Sequence, residues 1–411
     1  MEKQVFEEQQ ATKKKDQGSK DLEKLLNVAA AQEKRQRRQV IYGVYDKARQ
    51  PLWVRIDDFL VDHSHVPLEE KAYFFHLLAV MIDSGIPLIQ SLKMLANRTK
   101  NERFRRVLDT CAYNVTQGKK FSETMARFPD VFGEMEVGVV KSGEAAGNLD
   151  KMLFRLSDQL DKAHELQTKL ITASVYPIVV LIVLLLVAVG MLIWIIPSLV
   201  DLLREGGLED KDFPFSTKFL IGLSAAFTNY WWAIVFVGII GYMIFRIYTQ
   251  SDNGRLKWDH FKLRIPVIGQ LRRRVLVLRF ISMLGILIEA GLPVVQSLKI
   301  IATSLNSELY RLKTWEIIGK VQKGEKISTG LAEAPFLFPE TVTQMLGVGE
   351  QSASIGLISE KIASHYDREI DNALKRLTSL FEPIMIVFVG LTVAILALAI
   401  LTPIFQLSSL V

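Results

Sequence analysis

Residues 83–93 read DSGIPLIQSLK, and residues 289–299 read EAGLPVVQSLK. Six of the eleven positions are identical, and four more exchange one acid or one aliphatic side chain for another. The offset of 206 residues then holds without a gap. Gly118 meets Gly324, Pro129 meets Pro335 and Phe132 meets Phe338. Further on, Gly143-Glu144 meets Gly349-Glu350, Asp161 meets Asp367, Pro177 meets Pro383 and Pro197 meets Pro403. Chance explains one short match, not a fixed register kept over that length. A tandem duplication follows, and it obliges the two halves to share one fold.

Each copy ends in an apolar run. No charged side chain lies between Lys169 and Asp201, between Lys218 and Arg246, or from Pro383 to Val411. An apolar helix of about 20 residues crosses the ~30 Å hydrocarbon layer of a bilayer. The first run contains VVLIVLLLVAVGMLIWIIP and the third IMIVFVGLTVAILALAILTP. The second, TNYWWAIVFVGIIGYMIF, is weaker, because it opens on polar residues and carries glycine and alanine breaks. Parity supports it. Two copies of one soluble domain work on the same side of a membrane only if an even number of spans separates them. The sequence offers two, near 171–198 and 219–248. Composition agrees, with 49% hydrophobic residues and a mean hydropathy of +0.22. The N-terminal MEKQVFEEQQATKKKDQ has no apolar run, so the first membrane helix is expected to be its own insertion signal. The single cysteine, Cys111, excludes an internal disulfide and fits a reducing compartment.

Charge selects the side. Between Leu199 and Thr217 stand Asp201, Glu205, Glu209, Asp210 and Asp212 against Arg204 and Lys211. After the second run, Arg246, Arg255, Lys257, Lys262, Arg264, Arg272, Arg273, Arg274 and Arg279 outweigh Asp252 and Asp259. Lysine and arginine near span ends stay cytoplasmic, and Trp194, Tyr230, Trp231 and Trp232 suit an outer aromatic belt. The expected protein is therefore an all-α polytopic membrane protein with two duplicated cytoplasmic helical-bundle domains and three transmembrane helices. Its N-terminus is cytoplasmic and its C-terminus outside. The expected layout is a charged tail and linker over 1–66, a helical domain over 67–170, a span over 171–198 and an outer loop over 199–218. A span over 219–248, a basic juxtamembrane segment over 249–275, a second helical domain over 276–376 and a span over 377–407 follow. Residues 40–56 are read as a short strand pair, and LEKLLNVAAAQEKRQRRQV before it as a helix in a mobile tail. The Arg272–Arg274 run lacks aromatics at a stacking spacing. Anionic lipid heads, not nucleic acid, are its expected partner.

Within the domains, Leu88, Leu92 and Leu95 recur at helical spacing, as do Val294, Leu298 and Ile301. Gly85 before Pro87 reads as a helix stop followed by a helix start, and Gly291 with Pro293 repeats it. From Leu149 to Tyr176, and from Ile358 to Glu382, no glycine or proline intervenes. Each domain's last helix is thus expected to run into its span, with Pro177 or Pro383 as a tolerated proline or a joint. Glu144 and Glu350 precede these long helices. They are expected either to favour a helix N-terminus or brace an arginine, to contact a partner, or to hold a cation.

No catalytic constellation emerges, and no cofactor or metal set. Gly118-Lys119-Lys120 lacks the upstream glycine and hydroxyl of a phosphate loop. His164-Glu165 begins an HExxH pattern, but position 168 is threonine. Gly347-Val348-Gly349-Glu350 resembles a GxGD protease motif with the wrong acid. A scaffold is expected rather than an enzyme. A transporter or channel subunit built from duplicated halves is the alternative, although such repeats lie in the spans and these lie in the domains.

The pattern G-[IL]-P-[LV]-x-Q-S-L-K, then G-E-x-x-x-x-[LI], then a proline-led apolar run, all duplicated, resembles the type II secretion system protein F / PilC family. The resemblance covers about 67–411 and includes the Glu382-Pro383 opening of the last run. It implies an inner-membrane platform protein of a type IV pilus or type II secretion machine in a bacterial inner membrane. It also implies a cytoplasmic ATPase, pilin or pseudopilin subunits and other inner-membrane machine components as partners, and a homo-oligomer. Many family members carry a longer N-terminal region of strand character, to which only 40–60 corresponds here.

Overall fold

The computed structural model describes residues 41–42, 58–205 and 215–408. The tail helix lies outside these residues, and so does the strand pair at 40–56 apart from residues 41 and 42. Among the described residues, every regular element is helical. The chain divides into two compact units, residues 1–157 and 158–411.

In the first unit, α1 (Leu68–Asp83), α2 (Leu88–Arg98), α3 (Glu102–Thr116), α4 (Phe121–Met125) and α5 (Glu134–Ala146) precede the start of α6 (Leu149–Gly190). The turn after α1 is set by Gly85, whose φ of 82° lets the Ile86 amide donate to the Met81 carbonyl at 2.9 Å. Pro87 then caps α2, where its missing N–H is no loss. Side chains from α1, α3 and the segment before α5 close the core. Phe74 packs on Phe104 at 5.3 Å between ring centres, and Phe75 on Phe132 at 6.0 Å.

The second unit holds the rest of α6, a π-helical turn at Met191–Ile195 and α7 (Ile196–Glu205). Then come α8 (Phe215–Asn229), α9 (Trp231–Gln250) and α10 (Asp252–Arg264). The repeat follows as α11 (Ile268–Glu289), α12 (Val294–Ser304), α13 (Glu308–Val321), α14 (Ile327–Ala332), α15 (Glu340–Gln351) and α16 (Ile355–Ser408). The first residues of α12 to α16 lie 206 positions after those of α2 to α6, without slippage. The aromatic core repeats as well. Phe280 and Tyr310 meet Phe338 at 5.0 and 5.1 Å, at the positions of Phe74, Phe104 and Phe132. A tyrosine in a phenylalanine's place must satisfy its hydroxyl. Tyr310 does so by donating to the Leu337 carbonyl at 2.7 Å, and burial pushes its phenol well above the usual range.

Gly291 repeats the turn with φ 83°. A Cβ on Gly85 or Gly291 would meet nothing within 4 Å, so substitution there strains only the backbone. Gly85→Val or Gly291→Val is expected to cost about 1–2 kcal/mol. Asparagine, which tolerates the left-handed region, should cost less. Thermal unfolding of the full chain checks the order. Equal losses from valine and asparagine would contradict a backbone cause.

The apolar runs differ in outcome. The helical stretches Leu149–Ser198 and Ile355–Ala394 are long and apolar enough to cross a membrane. Only 6% of the most apolar window of each is buried, whereas a soluble core helix would be mostly covered. The stretch at 219–248 is not one helix. Tyr230, at φ −120° and ψ 21°, separates α8 from α9. Bulky Tyr230, Trp231 and Trp232 after Asn229 make a poor helical sequence, which accounts for the break. The loop expected at 199–218 is also narrower, because α7 runs to Glu205 and α8 begins at Phe215. At the π turn, the Ser224 hydroxyl donates to the Leu192 carbonyl at 2.5 Å, pinning α8 where the helical ladder is disturbed.

Candidate functional site: the paired Gly-Glu helix ends

Gly143-Glu144 and Gly349-Glu350 lie in the closing turns of α5 and α15, not at the entrance of the long helices. Each glutamate does serve a helix N-terminus, but that of the short helix across the domain. Glu144 Oε1 accepts from the Phe121 amide at 2.7 Å. Its Oε2 accepts from the Ser122 amide at 3.2 Å and the Ser122 hydroxyl at 2.5 Å. Glu350 repeats this with the Ile327 amide at 2.6 Å, the Ser328 amide at 3.0 Å and the Ser328 hydroxyl. Lys120 and Lys326 occupy the cap positions of α4 and α14 and offer no side-chain cap. The glutamates therefore supply from a distance the acceptors that the first turns lack. No arginine brace forms part of this set.

The glycine beside each glutamate has a separate task. A Cβ on Gly143 would stand 3.0 Å from Met152 Cβ, and one on Gly349 would stand 3.1 Å from Ile358 Cβ. Glycine is what lets α5 and α15 close against the helices that follow them. The pair thus joins three elements: the short helix, the helix that carries it and the start of the long one.

In the first unit these groups border an open cleft of about 420 Å³ lined by Ile82, Leu88, Lys120, Glu144, Leu149 and Asp150. Ile82 and Leu88 flank the Gly85–Pro87 turn, so the structure brings two of the sequence's singled-out motifs to one place. Glu144 enters the cleft with both oxygens already engaged. Among the described residues, no group of three histidine, cysteine, aspartate or glutamate side chains is arranged to hold a metal ion. Cys111 is fully buried and its thiol is pushed up to about 12 by that burial, so it is an inert core residue.

Pro177 lies inside α6 and Glu382-Pro383 inside α16, with neither helix interrupted. An apolar surrounding favours the intact ladder around the single carbonyl that each proline leaves unbonded. In the second unit the two long helices meet directly. Leu166 packs with Ile370 and Leu374, and Lys169 bridges Asp371 at 3.0 Å and Glu165 at 3.0 Å. Burial is the largest single influence and lowers the lysine's pKa, but the hydrogen bonds to Glu165 and Asp371 and the charges of Asp367 and Asp371 together outweigh it and leave the pKa above its usual value.

The serine partners of the two glutamates are not signalled by any local motif, although Ser122 and Ser328 sit in register. Nor does sequence spacing signal the Lys71–Glu136 ion pair of the first unit, 2.8 Å long, which has no counterpart in the second copy.

Residues 74–197 and 280–403 each match the family described as type II secretion system (T2SS), protein F. The chain is 32% identical over 340 residues to the type IV pilus assembly protein PilC of Thermus thermophilus, covering 83% of each chain. It is 30% identical over 342 residues to the type IV pilus assembly protein PilC of Pseudomonas aeruginosa, 83% of this chain and 90% of that one. To the type II secretion system protein F of Pseudomonas aeruginosa it is 30% identical over 335 residues, 81% of this chain and 82% of that one.

Proposed function

Because the chain belongs to the type II secretion system protein F family, we infer that it is an inner-membrane platform protein of a type IV pilus or type II secretion machine. Its role is structural rather than enzymatic. It couples a cytoplasmic assembly ATPase to the incorporation of pilin-like subunits, in contact with other inner-membrane components and with further copies of itself. The observation that carries this reading is continuity. The helix that closes each repeated domain runs on, through Pro177 or Pro383, into an apolar stretch with almost no buried surface. A push on either domain is thereby passed along one helix into the membrane. The Gly-Glu pair ties the short α4 or α14 helix to the root of that lever.

Three spans are part of the proposal, with α9 as the second. Its 20 residues reach about 30 Å at 1.5 Å per residue. Both domains then lie in the cytoplasm and the C-terminus outside, as lysine and arginine placement favours. Thiol labelling tests this orientation. In a Cys111→Ala background, an impermeant maleimide added to intact spheroplasts is expected to modify Glu205→Cys and to spare Lys323→Cys until the membrane is opened. Labelling of position 323 from outside contradicts the orientation. Coupling is tested by co-purification of the detergent-solubilised full chain with the ATPase of the same machine. Retention is expected, and its absence contradicts the coupling.

A further inference from the structure

The run Arg272-Arg273-Arg274 opens α11, and the three guanidiniums have different partners. Arg272 bridges Asp259 at 3.0 Å, and Arg274 bridges Glu369 at 3.1 Å. Arg273 has no carboxylate partner among the described residues. Its guanidinium lies over the Phe336 ring, 4.6 Å from the centre, and its buried Nε makes no hydrogen bond. His260 packs on the same ring at 5.6 Å. Beside this arginine is a pocket of about 200 Å³ lined by Gln270, Arg273, Arg274, Val277, Pro339 and Tyr366. A fixed, stacked guanidinium without a carboxylate partner, next to a second guanidinium and a neutral amide, is suited to a tetrahedral oxyanion.

The duplication shows that the fold does not require this pocket. The positions 206 residues earlier hold Ser64, Pro67, Leu68, Lys71, Gly133 and Leu160, with no arginine among them. In the first copy the corresponding helix begins only at Leu68, so Gln270 and Arg273 stand on an N-terminal extension of α11 that the first copy does not share, and the second copy alone carries the arginines.

We propose that the pocket beside Arg273 binds a phosphoryl group, held by Arg273 and Arg274 with Gln270 as a neutral donor. An anionic phospholipid headgroup and a soluble phosphate present the same chemistry. The proposal stands on the second unit's geometry and does not depend on the platform role, since its test uses the purified full chain without any other machine component.

The test has two arms. In the first, the chain is reconstituted in phosphatidylglycerol or phosphatidylcholine nanodiscs, extracted mildly and weighed by native mass spectrometry for retained lipid. In the second, its thermal unfolding is followed in inorganic phosphate against chloride at equal ionic strength. Arg273→Ala is expected to weaken the response about tenfold in the responding arm, the loss of one charge-assisted hydrogen-bonded contact. Arg264→Ala, which removes the same charge from an exposed site, should not. Arg273→Lys keeps the charge and loses the planar fork, and is expected to bind poorly while folding normally. It decides the matter should the alanine variant fail to fold. Selective retention of phosphatidylglycerol identifies a headgroup, and stabilisation by phosphate identifies a soluble ligand. Equal behaviour of wild type and Arg273→Lys in both arms, or no response of the wild type in either, overturns the proposal.

Discussion

Lys71→Val alone is expected to destabilise the first unit by about 3–5 kcal/mol, the cost of leaving a buried charge without its partner. Lys71 Nζ donates to Glu136 Oε1 at 2.8 Å and to the Val131 carbonyl at 3.0 Å. The Glu136 side chain is only 5% exposed, and its other oxygen accepts from the Gly133 amide at 2.7 Å. In the second copy these three positions are Val277, Pro339 and Val342, and both valines are fully buried. Two apolar side chains replace the ion pair. Proline, which has no N–H, removes the donor that Glu136 satisfies. Gly133 already has a φ of −71°, within proline's range. The triple variant Lys71→Val, Gly133→Pro, Glu136→Val therefore transplants a complete solution. It is expected to lie within about 1 kcal/mol of wild type, because an apolar replacement of a whole buried pair is often neutral or stabilising. Hydrogen exchange of the α1 and α5 amides in the full chain reads both variants. A triple variant as labile as the single one would show that the copies differ in more than these three residues.

Glu144→Ala and Glu350→Ala are expected to cost about 3 kcal/mol each, since each leaves two backbone donors and a serine hydroxyl without their charged acceptor. The loss should appear as faster exchange of the α4 or α14 amides. Glutamine should be intermediate, because its carbonyl oxygen replaces one acceptor and its amide nitrogen faces a donor. Unchanged exchange in both alanine variants, together with lost co-purification of the ATPase, would replace the capping role with a partner contact.

How much of this was legible in the chain depends on the range of each interaction. The 206-residue register is a property of sequence alone, and it carries the order and starts of the helices. The Gly85 and Gly291 turns were legible because a helix that must stop within two residues of a proline needs a residue at home with positive φ. The Gly-Glu motif was legible only in kind. Electrostatics at a helix end was the right physics, but the helix served begins 23 residues earlier, a choice made by packing rather than by neighbourhood. The break at Tyr230 was hidden because charge-free composition registers apolarity and not the local helical preference of Asn229 and the aromatics that follow. The Arg273 pocket was seen only as a basic stretch. Nothing in the sequence says which of three consecutive arginines lacks an acid, because Asp259 and Glu369 reach them from separate helices.

The most direct test of the platform role is deletion of the chain from its own bacterium, with surface fibres and secreted protein measured alongside the amounts of ATPase and pilin-like subunits. The role predicts that fibre assembly or secretion is lost while ATPase and subunits remain present, and that the wild-type chain restores it. A deletion strain that assembles fibres and secretes at the wild-type level would contradict it.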